Sequence, residues 1–75
     1  MAKTSRRLVI CVENAGYEVS LERRKIYVAV PDAKSEKVGL LRVIDESGRD
    51  YLYPTESFVA LTLPLPVRRA VLQAA

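Results

Sequence analysis

Short apolar segments separated by polar turns run along the whole chain, and this pattern predicts a small sheet of β-strands. Residues 8–12 are continuously apolar, which is typical of a strand buried on both faces. Residues 25–30 alternate, so Tyr27 and Ala29 are expected on one face and the branched side chains around them on the other. Residues 17–24 alternate more weakly and are typical of either an edge strand or a long loop.

A β-hairpin is predicted from residues 40–45 and 50–53, two strand-like runs on either side of a tight turn. Placing Ser47 and Gly48 at its tip sets two oppositely charged residues across from each other. In this register the facing pairs are Glu46 with Arg49, Ile44 with Tyr51, Val43 with Leu52, and Arg42 with Tyr53. A slip of one residue would exchange the two faces, so the register determines which side chains share a surface.

Prolines near the C-terminus predict the end of the sheet and the start of a helix. Pro54 opens a segment that suits a 3₁₀ turn, and residues 58–63 form the last predicted strand. A helix is expected over residues 65–75, with a proline in its first turn, where the missing N–H has little effect. Val67 and Val71 lie on its apolar stripe and are candidate interface residues, because about ten residues are too few to be helical without a packing partner.

Length and composition predict one ordered domain, divided into a basic arm at 1–6, a barrel at 7–63 and the helix at 65–75. A hydrophobic fraction of 49% with 28% charged residues fits a globular protein. No apolar run approaches the roughly 20 residues of a membrane span, and the run after the basic arm is too short for a secretory signal. A single cysteine, Cys11, cannot form an internal disulfide, so we expect a reducing, cytoplasmic location.

The order of these elements resembles SH3-like barrels over residues 8–62. The start of the second strand has the pattern Leu-x-x-x-Lys-x-Tyr, carried by Leu21, Lys25 and Tyr27. The resemblance implies a mainly β fold, a small five-stranded SH3-like barrel, to which the sequence adds a short C-terminal helix. An OB-like or other small α+β arrangement is the alternative, because the number of strands does not distinguish them.

The end of the barrel carries the rest of the resemblance. Pro54 and Phe58 match the proline and the aromatic residue that close eukaryotic SH3 domains, with one extra residue between them. The stretch 43–54 is also similar to the core of short bacterial proteins that have no established activity. The chain has no tryptophan, and its first strand does not end in tyrosines, so a groove for proline-rich peptides is not expected.

The residue types present argue against catalysis. There is no histidine, which removes the usual general base and the commonest zinc ligand. Cys11 lies in an apolar strand and is expected to be a buried, inert thiol. Asp45, Glu46 and Asp50 bracket the exposed hairpin turn, where acidic side chains usually cap the backbone rather than act as acid and base. We expect no enzyme, no metal and no cofactor.

Two surfaces are candidates for binding. The first is an aromatic platform that would stack on a base or hold a peptide, formed by Arg42, Tyr51, Tyr53, Pro54 and Phe58. The second is a basic patch that would contact phosphates if its parts converge, formed by Arg23, Arg24, Lys25, Arg68 and Arg69. The alternatives are that the tyrosines shield the barrel and are partly covered by the C-terminal helix, and that the charges, +3 in net, are scattered and solvated.

From these observations we expect a non-catalytic module that binds another protein. Binding would use an exposed strand edge or the helix stripe at Val67 and Val71. The alternative is a weak nucleic-acid binder that uses the basic patch and the tyrosines. Neither the partner nor the oligomeric state follows from the sequence.

Overall fold

A computed structural model describes residues 6–74, so residues 1–5 of the predicted basic arm and the last residue of the predicted helix lie outside the described residues. Strands and helical segments follow one another as β1 (Arg7–Cys11), β2 (Ile26–Val30), α1 (Ala33–Lys37), β3 (Leu40–Ile44), β4 (Asp50–Pro54), a 3₁₀ turn (Thr55–Ser57), β5 (Phe58–Leu61) and α2 (Leu65–Ala74). The predicted strands, 3₁₀ turn and C-terminal helix are all present. No helix among residues 6–74 has the length and apolar character needed to cross a membrane.

The strands form one antiparallel sheet in the order β4-β3-β2-β1-β5. The fold is therefore mainly β, as predicted, with a short helix at the C-terminal end. β4 and β5 are the two edges, and no ladder joins them within the part of the chain that the structure describes. The sheet curls enough to bring the edges near each other at one end, where the rings of Tyr53 and Phe58 lie 6.3 Å apart between centroids.

The core lies on one face of this curled sheet. Tyr27 and Ala29 both point into it, as the alternation of residues 25–30 predicts. The core residues are Val9, Cys11, Leu21, Tyr27, Ala29, Leu41, Val43, Tyr53 and Phe58. Cys11 is fully buried, and burial raises the pKa of its thiol. Residues 17–24 form a loop rather than an edge strand. This loop contributes the fully buried Leu21 to the core.

The predicted register of the hairpin was wrong by one residue. The observed facing pairs are Leu41 with Tyr53, Arg42 with Leu52, Val43 with Tyr51, and Ile44 with Asp50. The turn is longer than predicted: Gly48 donates its N–H to the Asp45 carbonyl at 2.9 Å, and Asp45 donates to the Arg49 carbonyl at 3.0 Å. Gly48 has φ +85°, so the three-residue loop ends in a left-handed glycine. The extra loop residue shifts β4 and places Arg42 on the opposite face from both tyrosines.

Candidate protein interface

The five residues of the predicted aromatic platform do not form a common surface. Tyr53 and Phe58 are buried in the core, and the Tyr53 ring packs edge-on against Tyr17 at 5.1 Å between centroids. Tyr51 is 48% exposed, on the same strand face as Tyr53. The structure therefore assigns two of the predicted platform residues to packing. Tyr53 lies in the core, on the face of the sheet opposite the one that α2 covers, so it is not shielded by the C-terminal helix.

Arg42 lies on the outer face of the sheet, where it contacts two aspartates. Its Nε donates to Asp32 Oδ2 at 2.9 Å, and its Nη1 lies 3.4 Å from Asp50 Oδ1. Hydrogen bonds from Ser35 and from Arg42 hold the pKa of Asp32 below its ordinary value. Asp32 also caps the first turn of α1 by accepting the Ser35 N–H at 3.2 Å. Arg42 thus links α1 to β3 and β4.

The predicted basic patch is divided rather than continuous. Arg23 and Arg24 lie beside Val12 at one end of β1, where they line a cavity of about 250 Å³. Arg68 of α2 donates a hydrogen bond to the carbonyl of Arg6 at the other end of that strand. At about 3.3 Å per residue, six residues of strand separate the two groups by roughly 20 Å.

Lys25, the middle member of the predicted patch, is neutralised by a carboxylate. Its Nζ lies 2.5 Å from Glu46 Oε2. The hydrogen bond from Lys25, together with one from Tyr27, lowers the pKa of Glu46. The Glu46–Arg49 pair expected from the sequence was therefore wrong, because Glu46 faces the loop that precedes β2.

Each of the two adjacent carboxylates of the hairpin turn accepts a hydrogen bond from a tyrosine hydroxyl. Tyr27 donates its hydroxyl to Glu46 Oε2 at 2.6 Å and accepts the Glu22 N–H at 2.7 Å. Asp45 accepts from the Tyr53 hydroxyl at 2.5 Å and from the Ser47 N–H at 2.8 Å. Asp45 is buried, contrary to the expectation of an exposed turn residue, although it does cap the backbone.

Neither carboxylate is set up as a proton donor at neutral pH. Burial alone would raise the pKa of Asp45, but hydrogen bonds from Ser47 and Tyr53 outweigh it and hold that pKa below its ordinary value. Burial raises the pKa of both Tyr27 and Tyr53, and the neighbouring carboxylates raise it further. Asp45 is paired with Tyr53 inside the protein, and Glu46 is paired with Tyr27 and Lys25 at its surface. Among residues 6–74, no cluster of three or more potential ligand side chains is placed to hold a metal ion.

The C-terminal helix covers a second apolar face of the sheet without closing over it. None of the residues of α2 is buried, and a groove of about 710 Å³ remains beneath it. The sheet side of the groove is formed by Leu8, Ile26, Val28 and Ile44, from β1, β2 and β3. Of the two predicted interface residues, Val71 lines the groove, whereas Val67 does not line it and is 46% exposed.

Two hydrogen bonds at the end of β1 show which residues of β5 direct their backbone N–H and C=O groups toward β1 and which direct them outward. Cys11 donates its N–H to the Lys25 carbonyl at 3.0 Å, on the β2 side. The next residue, Val12, donates to the Ser57 carbonyl at 2.8 Å, on the β5 side. Because backbone groups alternate in direction along a strand, every second residue after Ser57 turns its backbone groups toward β1.

Phe58 and Ala60, which alternate with these residues, direct their backbone N–H and C=O groups away from β1. The Phe58 N–H is already bonded to the Thr55 carbonyl of the 3₁₀ turn. The Phe58 carbonyl and both backbone groups of Ala60 therefore have no backbone partner among residues 6–74 and lie at the open edge. Val59, between them, has a side chain that is 53% exposed.

The opposite edge is protected in ways that β5 is not. Thr55 donates its N–H to the Gly39 carbonyl at 2.9 Å, so by alternation Asp50, Leu52 and Pro54 direct their backbone groups away from β3. Pro54 has no N–H to offer, and Asp50 places a charge on the edge. β5 contains neither a charged residue nor a proline, so it is the better edge for adding a strand.

Comparisons with protein-family models, with curated proteins and with solved structures found no match to this chain.

Proposed function

We propose that this protein is a non-catalytic protein-binding module that adds an extended segment of its partner to the sheet along β5. The observation that carries the proposal is the open, uncharged edge at Phe58–Leu61, opposite an edge that proline and aspartate protect. Strand addition gains affinity from main-chain hydrogen bonds and specificity from alternate side chains. Here the main-chain groups are those of Phe58 and Ala60, and the exposed side chain beside them is Val59.

Replacing Ala60 with proline is expected to abolish partner binding while the fold is retained. The substitution removes the outward N–H that a partner strand needs, yet breaks no hydrogen bond to β1. The matched control is Leu52→Pro, which removes an outward N–H from the other edge. Tagged wild type and both variants would be used to capture proteins from lysate after nuclease treatment, with thermal melts to verify folding. Capture that Ala60→Pro leaves unchanged, or that Leu52→Pro abolishes equally, would refute the proposal.

Weak nucleic-acid binding is the alternative function, and two features of Arg23 and Arg24 favour it. No carboxylate among the described residues lies within ion-pair distance of Arg23 or Arg24. Arg24 also has φ +71°, an uncommon conformation for a residue other than glycine, and such outliers often occur at functional sites. Capture that nuclease removes, that weakens steeply with salt and that is lost on charge reversal of both arginines would favour this alternative.

We also propose that the curled sheet is an SH3-like barrel and that the protein is cytoplasmic. The pairing of β1 with β5 and the 3₁₀ turn between β4 and β5 support the barrel. The free, buried thiol of Cys11 supports a reducing compartment.

A further inference from the structure

We propose that the partner strand at β5 is supplied by a second copy of this chain, related by a two-fold axis at Ala60. The inference rests on the proposed function, because it uses the same edge. A two-fold interface brings one surface patch against itself, so the patch must be complementary to its own image. The edge of β5 meets this condition, because the groups on either side of Ala60 complement each other when the strand is paired antiparallel to itself.

The hydrogen bonds of such a pair follow from the direction of the backbone groups. Each Ala60 donates its N–H to the carbonyl of Ala60 in the other copy, giving a hydrogen-bonded pair. Continuing the alternation, the N–H of Thr62 in each copy meets the carbonyl of Phe58 in the other. The Phe58 N–H needs no acceptor in the other copy, because the Thr55 carbonyl already accepts it. The Thr62 carbonyl of the other copy therefore receives no hydrogen bond from Phe58, and the pair is joined by the two Ala60 hydrogen bonds and the two from Thr62 to Phe58.

The side chains of the paired strands also match. With Ala60 on the axis, Val59 of one copy faces Leu61 of the other, on the face that also carries Ile10. Two branched apolar pairs are thereby formed, and the 53% exposed Val59 is covered. Residues 58–63 carry no charge, so no like charges oppose each other across the axis.

The features of the two edges, taken over the described residues, decide between the possible pairings. The groove beneath α2 is lined from β1, β2 and β3 and by no residue of β5. Head-to-tail pairing of β5 with β4 of another copy is disfavoured, because Pro54 lacks an N–H and Asp50 brings a charge to that edge. Antiparallel pairing of β5 with β5 of a second copy is therefore favoured over pairing of β5 with β4.

Cross-linking of Ala60→Cys tests the two-fold axis. The Cα atoms of a hydrogen-bonded antiparallel pair lie about 5.5 Å apart, within the range that a disulfide spans. Mild oxidation is therefore expected to convert this variant into a covalent dimer. Thr62→Cys, at the residue that follows the strand, is the matched control, because in the proposed pair its two copies lie roughly 13 Å apart, beyond the reach of a disulfide. Wild type is the second control, since its Cys11 is buried.

Sedimentation of the wild type and of Ala60→Pro completes the test. We expect wild type to reach twice the chain mass as concentration rises and Ala60→Pro to stay monomeric. A wild type that remains monomeric, or cross-linking of Thr62→Cys as efficient as that of Ala60→Cys, overturns the inference. If wild type is monomeric but capture still depends on Ala60, only the second copy is ruled out. If capture does not depend on Ala60 either, the proposed function fails as well.

Discussion

Replacing Leu21 with alanine is expected to leave most of the protein unfolded. Leu21 is 0% exposed although it lies in a loop, and its side chain completes the core beneath the sheet. Leucine-to-alanine changes at buried sites cost about 2–5 kcal/mol. A single core in a chain of this size supplies roughly 3–5 kcal/mol of net stability. The loss is therefore expected to be comparable to the whole free energy of unfolding.

Val19→Ala is the matched control in the same loop. Its side chain is 98% exposed, so the free energy of unfolding is expected to change by no more than about 0.5 kcal/mol. Urea unfolding followed by circular dichroism measures both variants. If Leu21→Ala unfolds at the same urea concentration as wild type, then the loop does not complete the core and the packing described above is wrong.

Replacing Tyr53 with phenylalanine is expected to lower the free energy of unfolding by about 1–3 kcal/mol. The Tyr53 hydroxyl donates to Asp45 Oδ2 at 2.5 Å, and both residues are buried. Without the hydroxyl, this carboxylate oxygen loses its donor inside the protein. Tyr51→Phe is the control on the same strand: Tyr51 is 48% exposed, and no side-chain hydrogen bond joins its hydroxyl to the described residues. Its effect is expected to be near zero.

The pH dependence of the Tyr53→Phe variant provides a second measure. The folded-state pKa of Asp45 lies below its ordinary value, so its contribution to stability is present above about pH 4 and is lost as the pH falls through the folded-state pKa. Part of that lowering comes from the Tyr53 hydroxyl. The stability difference between wild type and Tyr53→Phe is therefore expected to shrink between about pH 7 and pH 2. A difference that stays constant over this range contradicts the assigned role of the hydrogen bond.

The strands and the C-terminal helix were predictable because their signals are local. Alternation placed Tyr27 and Ala29 on the core face, and prolines marked the end of β4 and the start of α2. Each of these signals depends on neighbours a few residues away. The open edge of β5 also has a local signal, an uncharged stretch at 58–63, although only the strand order identifies it as an edge.

The register and the aromatic platform could not be predicted because they depend on longer-range geometry. The Asp45 side chain accepts the Ser47 N–H in a turn that is one residue longer than predicted. The extra loop residue shifts the register by one, so Arg42 lies on the opposite face of the sheet from the tyrosines. Tyr53 and Phe58 are buried because the sheet curls and brings its two edge strands together at one end. A pattern along one strand contains no information about that curl.

The exchange rate of the Ala60 amide proton tests the central claim, that the β5 edge pairs with the β5 edge of a second copy, most directly. The measurement is amide hydrogen exchange by NMR, in dilute and in concentrated protein. We expect the Ala60 amide to exchange rapidly when dilute and at least about tenfold more slowly when concentrated, as its N–H becomes bonded across the axis. The Val59 amide, which points toward β1, should be protected in both samples. An Ala60 amide that exchanges equally fast at every concentration contradicts the pairing of β5 with a second copy.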